Sequence, residues 1–167
     1  MSANLVLKQV NNQIGVFAKI DLKAGQTLLE FTGTKLLNEH IEHDNISPTD
    51  YLQIGKDLYL GLSGSFDDVI QHSCSPNSAV QVRAERAFLV ALFDIKAGSE
   101  ITFDYSLTST QTPDRWLMRC KCNSYTCRKQ ISGYTFLPDV IKQYYAELDE
   151  KMGDPTAPFV PKYIRGK

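Results

Sequence analysis

A mostly β fold of small sheets, finished by one C-terminal helix, is what this chain of 167 residues predicts. Short apolar stretches recur along residues 4–105, each closed by a turn signal such as Asn11-Asn12, Gly33, Gly55-Lys56-Asp57 or Ala97-Gly98, which is the punctuation of short strands. From Pro138 to Met152 the apolar period changes to that of a helix. The placement of only four cysteines indicates how these two parts are held together.

Residues 4–10 and 14–20 flank Asn11-Asn12 and predict a hairpin, and 27–32 predicts a further strand that Gly33 ends. Leu36 to Ile46 is polar and mixed, a short helix or loop. Within it His40, Glu42, His43 and Asp44 read as a solvated face, because nothing completes a His-Glu-x-x-His metal pattern. Tyr51-Leu52-Gln53-Ile54 and Leu58-Tyr59-Leu60 form strand, turn, strand. Ala79 to Arg83 and Phe88 to Leu92 make another hairpin, and Ala97-Gly98 turns the chain into a strand from Glu100 to Tyr105. Val140, Ile141, Tyr144, Tyr145 and Leu148 share one helical face, with Pro138 suited to the first turn and Gly153 to the end. Pro155, Pro158 and Pro161 predict an extended tail over 153–167.

A hydrophobic content of 43% at this length supports one proper core and one domain. No apolar run approaches the roughly 18 residues of a membrane span, and Met1 to Val10 lacks the pattern of a secretory signal, so the expected compartment is the cytoplasm or a nucleus. A net charge of −1 argues against direct nucleic-acid binding, which needs clustered cations. Between Asn38 and Ile70, however, Glu39, Glu42, Asp44, Asp50, Asp57, Asp67 and Asp68 face only Lys56. That stretch is either a solvated surface or an attractor for a basic partner.

Cys74 lies in Gln71-His72-Ser73-Cys74-Ser75-Pro76-Asn77, and the other three lie in Cys120-Lys121-Cys122-Asn123-Ser124-Tyr125-Thr126-Cys127. Four thiolates at about 2.3 Å fill one tetrahedral zinc site, so Cys74, Cys120, Cys122 and Cys127 are the expected Zn2+ ligands and the C-terminal cluster becomes a flap pinned to the core. Unrelated buried thiols are the plainer alternative.

The His-Ser-Cys-x-Pro-Asn segment, followed by Glu100-Ile101-Thr102-Phe103-Asp104-Tyr105 and the cysteine cluster, resembles the SET-domain protein lysine methyltransferases with a post-SET zinc flap. Gly15-Val16-Phe17-Ala18 and Ala24 to Gly33 resemble that family's opening strands, so the likeness runs from about residue 4 to residue 133. It implies a SET fold with a threaded pseudoknot over 4–106, a post-SET flap over 116–133 and a C-terminal helix over 137–152. With no further cysteine cluster ahead of it, the expectation is a small stand-alone enzyme of microbial type.

By the same resemblance the chain moves a methyl group from S-adenosylmethionine to a lysine on a basic, histone-like protein. Tyr105 is then the catalytic tyrosine, with Tyr51 as a second and Tyr59 as its competitor. Phe103, Ile131 and Tyr134 line or close the lysine channel, and a phenylalanine at 103 implies di- or trimethylation. Ile14, Gly15, Gln71, His72 and Tyr105 bind the cofactor, and Asn77 secures the loop. The chain departs from the family at Gln13, where a glycine is usual, and at Gln71, where an asparagine is usual. A binding module for basic peptides without turnover, or a SET fold repurposed for small-molecule chemistry, are the alternatives those departures leave open.

Overall fold

The computed structural model describes residues 3–10, 12–43, 46–47, 49–108, 117–152 and 156–165. In chain order its strands are β1 Leu5–Val10, β2 Gln13–Ala18, β3 Thr27–Phe31, β4 Lys35–Leu37, β5 Tyr51–Gln53, β6 Leu58–Gly61, β7 Gln71–His72, β8 Ser78–Arg83, β9 Arg86–Ala91, β10 Thr102–Phe103, β11 Met118–Arg119 and β12 Gln130–Ile131. The helices are α1 Asn38–His43, α2 Asp139–Met152 and α3 Lys162–Arg165. The strands form five small sheets: the hairpin β1–β2, the orders β3–β9–β8 and β4–β6–β5, the parallel pair β7–β10 and the antiparallel pair β11–β12.

The local chemistry accounts for these turns. Asn12 takes φ 63° in the first hairpin, a left-handed conformation asparagine tolerates. At the end of β3 only glycine fits: a Cβ on Gly33 would stand 2.1 Å from the Gly61 carbonyl oxygen, and its φ is 126°. Three apolar clusters result among the described residues, the smallest around Cys74, Cys120 and Ile131. The first gathers Val16, Leu22, Leu28, Ile54, Ile70, Leu89, Ile101 and Phe103 among the sheets. The second gathers Leu107, Tyr134, Leu137, Tyr145, Leu148, Phe159, Val160 and Ile164 around α2.

Four expectations change. Residues 35–43 hold a strand and a helix rather than one mixed segment, because β4 pairs with β6. The segment 100–105 is a strand only at Thr102–Phe103, since its backbone groups bond to several partners: Val16 O, the Asn77 side chain and Ser73 N. On α2, Tyr145 and Leu148 are buried while Val140 and Tyr144 are 70% and 41% exposed, so the buried stripe is rotated from the predicted one. The expected extended tail is folded between 156 and 165: Phe159, Val160 and Ile164 are buried in one cluster with Tyr145 and Leu148 of α2, and α3 closes the segment. The burial of Phe159, Val160 and Ile164 outweighs the prolines. Gly153 and Pro155 lie outside the described residues, as do Asp44 and the side chains of Glu42 and His43. His40 accepts the Leu37 N–H through Nδ1 at 3.0 Å. Among the described residues, no helix is long and apolar enough to cross a membrane.

Candidate functional site

The parallel pairing of β7 with β10 sets Gln71 beside Thr102 and His72 beside Phe103. Asn77 fixes the crossing of these segments, its Nδ2 donating to Glu100 O at 2.7 Å and its Oδ1 accepting from Thr102 N at 3.0 Å. Ser78 adds a bond to Thr102 O at 2.8 Å.

Tyr105 follows directly. Its hydroxyl donates to Ile70 O at 2.7 Å, its backbone N–H donates to His72 Nδ1 at 3.2 Å, and its ring stands 4.9 Å from Phe103 and 5.3 Å from His72. Burial, reinforced by the charge of Glu100, pushes the Tyr105 phenol up to about 12, so it stays protonated at any ordinary pH. A cavity of about 60 Å³ opens on this tyrosine, walled by Phe31, Tyr51, Leu60, Ile70 and Phe103, with Asp50, Asp67 and Asp68 among its polar lining. Its volume suits the end of one side chain and falls well short of the roughly 300 Å³ at which whole-ligand pockets begin.

Tyr51 lines that cavity, its phenol raised by burial, whereas Tyr59 does not: its hydroxyl is tied to Asn38 Oδ1 at 3.3 Å. Ile131 packs with Cys74, Cys120 and Tyr105 outside the cavity wall. Tyr134 sits in the second core, with Lys142 Nζ 5.7 Å above its ring, and takes no part in the cavity lining. Asp67 and Asp68 are also turn residues. They accept from Thr32 N, Ser63 Oγ, Ser63 N and Gly64 N, so part of the acidic 38–70 stretch serves the fold.

Of the expected cofactor residues, Gln71 reaches Ile14, whereas the His72 ring turns to Tyr105 and Cys74. Gln71 Nε2 donates to Ile14 O at 3.0 Å and Val69 O at 3.2 Å, a bridge that its extra methylene permits. A Cβ on Gly15 would lie 2.5 Å from Glu100 Oε1, so a side chain there would push that carboxylate aside.

The cysteines converge. Cys74 Sγ and Cys120 Sγ are 3.7 Å apart, close to the roughly 3.8 Å separating two thiolates each 2.3 Å from a tetrahedral zinc. Each of the four sulfurs also accepts a backbone N–H at 3.4–3.5 Å: Cys122 from Cys74, Cys120 from Cys122, Cys74 from Arg128 and Cys127 from Lys129. Such bonds favour thiolate. Burial raises the Cys122 thiol, but Ser124 Oγ and the Cys74 N–H more than offset it and bring it to about 6. His72 Nε2 also lies within 4.8 Å of the sulfurs of Cys74, Cys120 and Cys122. Because Nδ1 accepts the Tyr105 N–H, Nε2 carries the proton of the neutral ring and donates to Cys74 Sγ at 3.3 Å. Burial holds the ring neutral, with a pKa of about 4. The ligand atoms that lie within 4.8 Å of one another are thus those of His72, Cys74, Cys120 and Cys122, while Cys127 packs against the same cluster; thiolate chemistry suits zinc on the four cysteines, with His72 as a hydrogen-bond donor to Cys74.

Sequence reading missed the group joining these parts. Arg128, directly after Cys127, forks onto Asp104 at 2.8 and 2.7 Å and reaches Ser106 Oγ at 3.2 Å. Tyr145 of α2 donates to the same carboxylate at 3.3 Å. The only signal was adjacency, of Arg128 to a cysteine and of Asp104 to Tyr105.

A family model described as SET domain matches residues 13–106. The chain is 35% identical over 130 residues to the variant-silencing SET domain-containing protein of Plasmodium falciparum, a match covering 68% of this chain and 5% of that protein. It is 32% identical over 127 residues to the histone-lysine N-methyltransferase, H3 lysine-36 specific, of Homo sapiens, again 68% of this chain and 5% of that one. Among solved structures, KRYPTONITE in complex with mCHG DNA and SAH superposes with a TM-score of 0.57 at 22% identity, covering 73% of this chain and 27% of that one; this likeness is one of fold. The chain thus spans a small fraction of the relatives it matches.

Proposed function

The chain belongs to the SET-domain family, and on that footing we propose that it transfers methyl groups from S-adenosylmethionine to a lysine side chain of a basic, histone-like protein. The observation that carries the proposal is the cavity lined by Tyr105, Phe103 and Tyr51. The relatives named as histone-lysine N-methyltransferases, and the presence of SAH in the KRYPTONITE complex, support the same reading.

An ammonium of pKa near 10.4 is neutral in about one molecule in 2,500 at pH 7, a deficit of roughly 4.6 kcal/mol. The apolar walls Phe31, Leu60, Ile70 and Phe103 favour the neutral amine, because burial penalises the charged form. Tyr105, its hydroxyl anchored on Ile70 O, lines that channel. S-adenosylmethionine, when bound, would supply an electrophilic methyl group to the neutral lysine amine, its sulfur keeping the bonding pair. Cys74, Cys120, Cys122 and Cys127 would hold zinc and keep the flap against Tyr105 through Ile131. Asp50, Asp67 and Asp68 give the channel a negative lining that suits a basic substrate.

The test is titration of zinc-replete protein with S-adenosylmethionine, followed by incubation with core histones and mass spectrometry of the lysines. Micromolar binding and di- or trimethyl-lysine are expected. Monomethyl product alone after exhaustive turnover would overturn the higher states. No binding of the cofactor would replace the proposal with a non-catalytic module for basic peptides.

Metal analysis is expected to find one zinc per chain, and chelation to abolish turnover before far-ultraviolet dichroism reports loss of the sheets, because the first core does not include the sulfur cluster. Full turnover after verified zinc removal would refute that role for the flap.

A further inference from the structure

Glu100 carries an exposed carboxylate on a backbone that the fold holds, and among the described residues no cation pairs with it. Its backbone is held on two sides, by the bridge to Phe17 and by the Asn77 amide on its carbonyl at 2.7 Å. Its side chain rests on the bare face of Gly15, where a Cβ would stand 2.5 Å from Oε1. Among the described residues, no lysine, arginine or histidine forms an ion pair with it. Lys8, the cross-strand partner of Gly15, instead extends over the Phe17 ring, with Nζ 5.2 Å from its centre. Burial raises the Glu100 carboxyl, and its charge is felt at Tyr105.

On the neighbouring side, Gln71 directs both its amide bonds at Ile14 O and Val69 O. That leaves its Oε1 as an acceptor without a partner among the described residues. The Ile14–Gly15 stretch is thus bracketed by a carboxylate and a carboxamide. Two such acceptors next to an open backbone face suit a small organic cation on an aliphatic chain.

We propose that Glu100 is the counter-charge for the cationic methionyl end of the cofactor, held across Gly15. The inference rests on the methyltransferase reading and adds a binding residue to it. It also gives Gly15 a second reason to lack a side chain, since any Cβ would displace the carboxylate.

The experiment is calorimetric titration of zinc-replete wild type and Glu100→Gln with S-adenosylmethionine and with SAH at two salt concentrations. Glu100→Gln keeps the shape and removes the charge. It is expected to weaken S-adenosylmethionine by about tenfold and to flatten the salt dependence of binding. An equal loss for SAH assigns the contact to the ammonium, and a loss confined to S-adenosylmethionine assigns it to the sulfonium; either supports the proposal. Affinity within twofold of wild type overturns it while leaving the methyltransferase reading intact. No binding by wild type overturns both. Should Glu100→Gln fail to fold, Glu100→Asp replaces it, with a severalfold loss expected and unchanged affinity fatal to the idea.

Discussion

Replacing Tyr105 by phenylalanine is expected to lower kcat by about 10²-fold while leaving cofactor affinity within a few-fold of wild type. The hydroxyl has one partner, Ile70 O at 2.7 Å, and the ring is held by Phe103 and His72, so the substitution removes an oriented oxygen from the cavity without moving the walls. Loss of that bond leaves a buried carbonyl without its donor, a cost of about 1–3 kcal/mol that a folded domain tolerates. The pH profile separates this role from proton transfer. Only the neutral amine attacks, so turnover rises with pH as the target lysine loses its proton. Tyr105, protonated up to about 12, imposes no descending limb below that value. The phenylalanine variant should therefore show the same ascending profile at a lower height. Wild-type turnover in the variant would remove Tyr105 from the chemistry, and a change in KM alone would make it a binding residue.

The sequence made some of this legible because the signals were local. Asn11-Asn12 marks the first hairpin, and a positive φ at Asn12 is the physical reason asparagine suits it. The His-Ser-Cys and Glu-x-x-x-Asp-Tyr segments each carry enough residues to be matched, and the structure places them side by side through β7 and β10. What was not legible depended on distant chain. The helical period identifies a stripe on α2 but not which edge of it another segment covers, so Val140 and Tyr144 were grouped with Tyr145 and Leu148 although they face solvent. Three prolines made 153–167 look extended, while the site that buries Phe159 and Ile164 exists only once α2 has packed. Tyr51 and Tyr59 are indistinguishable by spacing, and it is the Asn38 contact that directs Tyr59 away from the cavity.

Arg128→Gln should destabilise the zinc-replete protein by about 3–5 kcal/mol, because it strips the cation from a carboxylate with no exposed surface. Asp104 receives two guanidinium bonds, the Ser106 N–H at 3.1 Å and the Tyr145 hydroxyl, and without Arg128 only the last two remain. Lysine at this position restores charge but not the planar fork, so Arg128→Lys should recover only part of the loss. The double variant Arg128→Gln/Asp104→Asn should lose less than the sum of its single variants, since neither leaves the other's charge buried alone. Urea unfolding measures all of these, and a loss below about 1 kcal/mol in Arg128→Gln would show that the pair adds nothing over its desolvation cost. The consequence extends to the site. Arg128 bonds Cys74 Sγ through its backbone and Asp104 through its side chain, and the residue after Asp104 is Tyr105. A single residue thus joins the sulfur cluster, through its backbone, to Asp104, which precedes the tyrosine lining the cavity and accepts from Tyr145 of α2, so loss of the Arg128 side chain should lower turnover even where the sheets remain folded.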